Sequence, residues 1–104
     1  NFNFIEGRLK MGWSNVVRFL VKEGHQKDFE RMVDSFDINE GENEGHLIKT
    51  GDREYIYVGI WDSEEALAAS RDKMIGDLDQ MRIYLEETAT GVTDPRSGPI
   101  VLTH

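Results

Sequence analysis

The sequence predicts an α+β fold: an antiparallel four-stranded sheet with two helices, in the order β-α-β-β-α-β. Three observations point to it. Residues 53–85 read as one long strand running directly into one long helix. Residues 13–36 repeat that pattern, a β-prone run followed by an amphipathic helical stripe. Two glycine-bearing stretches, Gly51-Asp52 and residues 88–98, punctuate the rest as turn and loop.

Taken in order, the chain opens with ten residues of a different character. Ile5-Glu6-Gly7-Arg8 reproduces a factor Xa cleavage site, so residues 1–10 are expected to be an expression-tag remnant and Met11 the native start. Residues 11–104 then form a single domain. Strand one spans residues 13–22, where Val16, Val17, Phe19, Leu20 and Val21 form a nearly continuous apolar run that suggests burial on both faces. Glu23-Gly24 breaks it. A helix over residues 26–36 places Phe29, Met32, Val33 and Phe36 on one stripe. Residues 37–45, DINEGENEG, are acidic and glycine-rich and read as a loop. Residues 46–50 read as a short second strand, joined through Gly51-Asp52 to the third.

Strand three is aromatic on one side, with Tyr55, Tyr57 and Trp61 alongside Gly59, and aliphatic on the other, with Ile56, Val58 and Ile60. Asp62 or Ser63 caps the helix that follows; with Asp62 as N-cap, Glu65 falls at capping-box spacing. Its stripe is Leu67, Met74, Leu78, Met81 and Leu85, and Gly76 within it predicts a kink or a break into two helices. Residues 99–103, PIVLT, read as a final short strand, with the proline at its start. This is the split βαβ, ferredoxin-like arrangement, with both helices on one sheet face. The strands carry large apolar side chains on both faces, and two helices cover only one. A second copy of the chain is expected to cover the other, giving a homodimer through the sheet face.

Composition narrows the partners. Asp plus Glu total 20 against 12 Lys plus Arg, for a net charge of −8. Such a surface repels phosphate backbones and anionic membranes, so neither nucleic acid nor membrane is expected as a partner. There is no cysteine, which excludes disulfides and thiolate metal sites and makes a reducing cytoplasm the simplest location. His25, His46 and His104 have no metal-ligand spacing, and no glycine-rich phosphate loop is present. No metal or cofactor is expected.

Two segments resemble the antibiotic biosynthesis monooxygenase domain of the dimeric α+β barrel superfamily: VVRFLVKEGHQKDFERMV (16–33) and YVGIWDSEEALAAS (57–70). The element order and size agree as well, and the likeness covers most of residues 14–85. The tail, GVTDPRSGPIV, matches no motif with a known role. The resemblance implies a homodimer whose sheets face each other to close one barrel, with a pocket between sheet and helices in each protomer. It implies chemistry without metal or flavin: a phenol or quinol substrate is deprotonated and reacts with O₂, while the protein excludes water and orients the ring. The heme-degrading branch fits poorly. Its catalytic asparagine, helix tryptophan and iron-ligating histidine fall at Val17, Ser70 and near Gln80.

Six residues are candidates for the pocket: Asn15, His46, Tyr55, Tyr57, Trp61 and Arg71. Trp61 matches the strand-ending tryptophan of the family and either stacks a flat substrate or serves as core. Tyr55 and Tyr57 share its face and can donate to a phenolate. Asn15 stands on the same side of strand one as Val17 and Phe19, where several family enzymes have a pocket asparagine. Arg71 falls on the apolar helix stripe and either holds an anionic ring or extends its head into water. His46 opens the second strand and is a candidate base. Arg18, inside an apolar strand, needs an ionic partner or an exit to water. The leading function is a cofactor-independent monooxygenase acting on a small aromatic phenol or quinol. The alternative is a non-catalytic dimeric barrel that binds a small apolar ligand or serves as a structural module.

Overall fold

The structure, a computed structural model, describes residues 12–104; the expected tag remnant and Met11 lie outside the described residues. The elements are β1 (Trp13–Leu20), α1 (Gln26–Ser35), β2 (Glu42–Lys49), β3 (Glu54–Trp61), α2 (Glu64–Ala69), α3 (Arg71–Met81), a 3₁₀ turn (Arg82–Tyr84) and β4 (Asp94–Pro99). The strands form one antiparallel sheet in the order β2-β3-β1-β4. This is the ferredoxin-like order, with its second helical segment divided in two.

Alternation along the strands decides which residues meet the helices. β1 and β3 pair with Asn15 opposite Gly59, Val17 opposite Tyr57 and Phe19 opposite Tyr55, so these six share one face. That face carries the core. Phe19, Val21, Phe29, Tyr55, Met81 and Leu85 are buried together, with the Phe29 ring tilted against both Phe19 (centroids 5.4 Å apart) and Tyr55 (5.1 Å). Val16, Leu20, Ile56, Val58 and Ile60 point the other way, toward the face that carries no helix among the described residues. In the register of β2, Ile48 lies opposite Ile56 on that open face and is 45% exposed. Arg18 lies there too, exposed, which is the exit to water that its charge requires.

Three local expectations are corrected and one open choice is decided. First, β2 begins at Glu42, not at His46: the acidic segment 42–45 belongs to the sheet. Tertiary pairing overrides its poor strand propensity, because it lies against Gly59, Ile60 and Trp61 of β3, with a bulge between Glu42 and Glu44. Second, the helix break falls at Ser70, not Gly76. Ser70 ends α2 and begins α3 and is buried, with its hydroxyl donating to the Glu40 carbonyl (3.4 Å), whereas Gly76 is exposed inside α3. Third, of the two expected cap candidates it is Ser63 that caps α2, accepting from the Ala66 amide at 3.1 Å. Asp62 instead accepts from the Asn43 side chain at 2.8 Å. Fourth, the last strand is Asp94–Pro99: residues 94–98 fall in the segment read as loop, and of the PIVLT stretch only Pro99 is strand. Pro95 is tolerated because β4 is an edge strand, paired only with β1. Val101, 79% exposed, has no sheet to join.

Candidate ligand cavity

The sheet's helix face is closed at one end and open at the other. At the open end, a cavity of about 700 Å³ lies between the sheet, α1 and the two halves of the broken helix. Val17, Phe19, Leu47 and Tyr57 form its sheet wall, and Val33, Phe36, Leu67, Met74, Leu78 and Met81 face them from the helices. Most of its surface is apolar, with polar side chains set among the walls, which is the usual character of a small-molecule site.

Two hydrogen-bonded pairs converge at the floor. The Trp61 indole donates to Asn15 Oδ1 at 2.8 Å, and the Tyr57 hydroxyl donates to Glu42 Oε2 at 2.6 Å. Both pairs occupy space left by glycine. Gly59 faces Gly45 across the β2–β3 ladder. A Cβ on Gly59 would collide with Asn15 Oδ1 and stand 2.8 Å from both Glu42 Oε2 and Trp61 Nε1; one on Gly45 would collide with the Tyr57 hydroxyl. The niche therefore exists because two opposed residues lack side chains.

Glu42 is set in place by a turn. Its amide donates to the Asn39 carbonyl at 3.1 Å, and Gly41 between them has φ +83°, the left-handed conformation that a type II turn requires at its third position. The same turn lets Asn39 Nδ2 donate to Glu42 Oε1 at 2.8 Å, while Asn39 Oδ1 is buried with no hydrogen-bond partner among the described residues. Burial and the adjacent Glu42 carboxylate both raise the Tyr57 pKa well above its ordinary value, so its hydroxyl stays a donor.

The six candidate residues separate. Asn15, Tyr57 and Arg71 line the cavity together. Trp61, 0% exposed, backs the floor through its bond to Asn15 and presents no face for stacking. Tyr55 belongs to the closed end: it is 2% exposed and donates to Glu30 at 2.5 Å. His46 shares the open sheet face with Val58, exposed, with Nε2 3.2 Å from Glu44 Oε1, and does not reach the cavity. Arg71 makes no ion pair or hydrogen bond among the described residues, in contrast to Lys73, which holds Asp77 at 2.9 Å. Sequence reasoning missed Glu42 and Asn39 because both lay in a stretch read as acidic loop. The available signal was Asn-x-Gly-Glu in the middle of that stretch, a turn pattern that brings its first and last side chains together.

Among the described residues no cluster of three or more His, Asp or Glu is arranged to hold a metal ion, and no helix is long and apolar enough to cross a membrane. No family model and no curated protein matches the sequence. Solved structures do match in shape. A putative antibiotic biosynthesis monooxygenase from Chloroflexus aurantiacus superposes with a TM-score of 0.70 at 11% identity, covering 89% of this chain and 96% of the other. SnoaB, a cofactor-independent oxygenase from Streptomyces nogalater, gives 0.68 at 16% identity over 88% and 95%. A dimeric ferredoxin-like protein from an uncultured marine organism gives 0.71 at 10% identity over 96% of each chain. The chain has the ferredoxin-like α+β fold of the antibiotic biosynthesis monooxygenase-like structures.

Proposed function

We propose that the chain is a cofactor-free monooxygenase acting on a small aromatic phenol or quinol held in the cavity. The observation that carries this reading is the cavity itself: largely apolar walls wide enough for a flat ring, with the Tyr57–Glu42 and Trp61–Asn15 hydrogen-bonded pairs at its floor. The likeness in fold to a cofactor-independent oxygenase adds support. In such a reaction the ring hydroxyl loses its proton and the electron-rich phenolate reduces O₂. One oxygen atom becomes a new ring carbonyl, and the other leaves as water with the hydroxyl hydrogen and the displaced ring hydrogen. A phenol thereby becomes a quinone, and a quinol a hydroxyquinone. The apolar walls exclude water from the reactive ring, and Arg71, a cation without a partner among the described residues, stabilises the developing anion.

Oxygen uptake with a panel of quinols and naphthols tests the reading. At least one substrate should consume one O₂ per ring oxidised without releasing hydrogen peroxide. Uptake no faster than in buffer for every compound would overturn it.

The proposed assembly is a homodimer through the open sheet face. Its support is the row of aliphatic side chains, Val16, Leu20, Ile48, Ile56, Val58 and Ile60, that no helix among the described residues covers. Burying such side chains is worth about 1.5–3 kcal/mol each. Light scattering at micromolar concentration should return twice the chain mass, and Val58→Asp should reduce it to one. A monomer mass for the unaltered chain would refute the assembly.

A further inference from the structure

Four acidic residues border the cavity: Asp37, Glu42, Glu44 and Asp77. Asp77 is neutralised by Lys73 at 2.9 Å, and Glu44 lies against His46 at 3.2 Å. Glu42 differs from both. Each of its carboxylate oxygens accepts one hydrogen bond from a neutral donor, Tyr57 on one side and Asn39 on the other, and no cation stands within ion-pair distance among the described residues. A carboxylate oxygen has two lone pairs, so each keeps one free. Glu42 is therefore a fixed, oriented anion at the edge of an apolar cavity. The second lone pair of the Tyr57 hydroxyl lies beside it, and both groups accept a hydrogen donated by a ligand.

We propose that Glu42 is the general base of this cavity, taking the proton from a ring hydroxyl of the bound ligand while Tyr57 and Asn39 hold its carboxylate in position. The ligand O–H bond breaks, its electron pair stays on the phenolate oxygen, and the proton forms a new O–H bond on Glu42. This rests on the phenol or quinol reading of the cavity and sharpens it: the ligand must arrive carrying its proton, so the reduced, hydroxyl-bearing form binds and a quinone or ether does not compete well. A hydroxyl on the ring docks at the Glu42 end. The remaining charged groups on the cavity are Asp37, Glu44 and Asp77 with Arg71 and Arg96, and Arg96 is held by Asp94 at 2.7 Å. None of these offers a pair of neutral donors to a free carboxylate.

The test uses p-nitrophenol, whose neutral and ionised forms absorb at different wavelengths, bound to the full chain without oxygen and titrated with pH. The neutral form should bind about tenfold or more tightly than the phenolate, because it donates to an anion that repels the phenolate. The bound dye should therefore ionise at higher pH than the free dye. p-Nitroanisole, which has no hydroxyl, should bind about tenfold more weakly than neutral p-nitrophenol. Glu42→Gln should abolish the preference for the neutral form, whereas Tyr57→Phe, which keeps the carboxylate, should retain it. Loss of the preference in both variants alike would reduce the pair to a structural brace and overturn the proposal. So would tighter binding of the phenolate by the unaltered chain, a measurement that stands even where Glu42→Gln fails to fold. With a substrate that consumes O₂, Glu42→Gln should lower kcat about 100-fold or more and leave KM within a few-fold. The binding result is independent of oxygen uptake. A chain that shows the preference but oxidises nothing would sink the monooxygenase reading and leave Glu42 as the proton acceptor of a binding site.

Discussion

Tyr55 and Tyr57 sit two residues apart on the same face of β3, and each donates its hydroxyl to a glutamate, at 2.5 and 2.6 Å. They nevertheless belong to different environments. Around Tyr55 the space is filled: Phe19 and Phe29 pack over it and α1 supplies Glu30. Around Tyr57 the neighbouring positions on the same face, Gly45 and Gly59, have no side chains, and the broken second helix stands off to leave the cavity. The same tyrosine–glutamate pair thus closes a core at one end of the sheet and frames a ligand site at the other. What separates them is side-chain volume on the flanking strands and the position of the helices, not the chemistry of the pair.

The largest expected effect comes from breaking the closed end. Phe29 is fully buried against both Phe19 and Tyr55. Phe29→Ala should destabilise the chain by about 3–5 kcal/mol, measured by denaturant unfolding. If the two ends are as separate as the contacts suggest, ligand affinity extrapolated to the folded fraction should change little.

Filling the open end should do the reverse. Gly59→Ala puts a methyl group where Asn15 Oδ1 lies and crowds Trp61 Nε1 and Glu42 Oε2. A stability loss of about 1–3 kcal/mol is expected from overpacking, with ligand binding lost beyond that through displacement of the polar floor. Calorimetric titration of an aromatic ligand at a temperature well below unfolding separates the two effects. Unchanged affinity would show that the niche over Gly59 is no part of the site.

Arg71→Ala sharpens the electrostatics of the same end. Loss of one charge-assisted hydrogen bond should weaken binding of an anionic aromatic by about 1.5–3 kcal/mol, and of its neutral analogue by much less. Equal losses for both would place the guanidinium in solvent instead.

The smallest effect distinguishes the two tyrosines by pH. Burial, together with the glutamate beside each, raises both pKa values above the ordinary value of about 10. A group whose folded pKa is raised holds its proton more tightly in the folded state. Its contribution is fully present below the unfolded pKa and is lost as pH rises from there through the folded value. Stability should therefore decline above about pH 10. Tyr55→Phe and Tyr57→Phe should each flatten part of that decline in denaturant midpoints measured across alkaline pH. Tyr55→Phe should leave ligand binding untouched, and Tyr57→Phe should weaken it.

Much of this was legible in the residues. Strand alternation placed Tyr55, Tyr57, Gly59 and Trp61 on one face and Ile56, Val58 and Ile60 on the other, and the structure keeps that division. The α1 stripe, the order of elements and the hairpin at Gly51-Asp52 followed from periodicity and turn chemistry, which act between residues close in sequence. Asn15 and Arg71 reached the cavity for the same reason: their positions on a strand face and a helix stripe fixed their direction.

What only the tertiary structure decided depends on partners distant in the chain. Periodicity within β3 does not say which of its two apolar faces the helices cover; the packing of Phe29 and Met81 against Tyr55 and Phe19 settles that. Local composition makes residues 42–45 a loop, and the ladder to Gly59–Trp61 makes them a strand. A glycine in a helix suggests a break at Gly76, and a buried serine reaching the Glu40 carbonyl puts it at Ser70. The cavity's floor is the furthest from the sequence. Trp61 and Asn15 are 46 residues apart and Tyr57 and Glu42 are 15 apart, and the two pairs meet over two facing glycines, Gly59 and Gly45, that contribute no side chain to the contact. An empty volume has no residue of its own to read, so it becomes visible only once the surrounding side chains are in place.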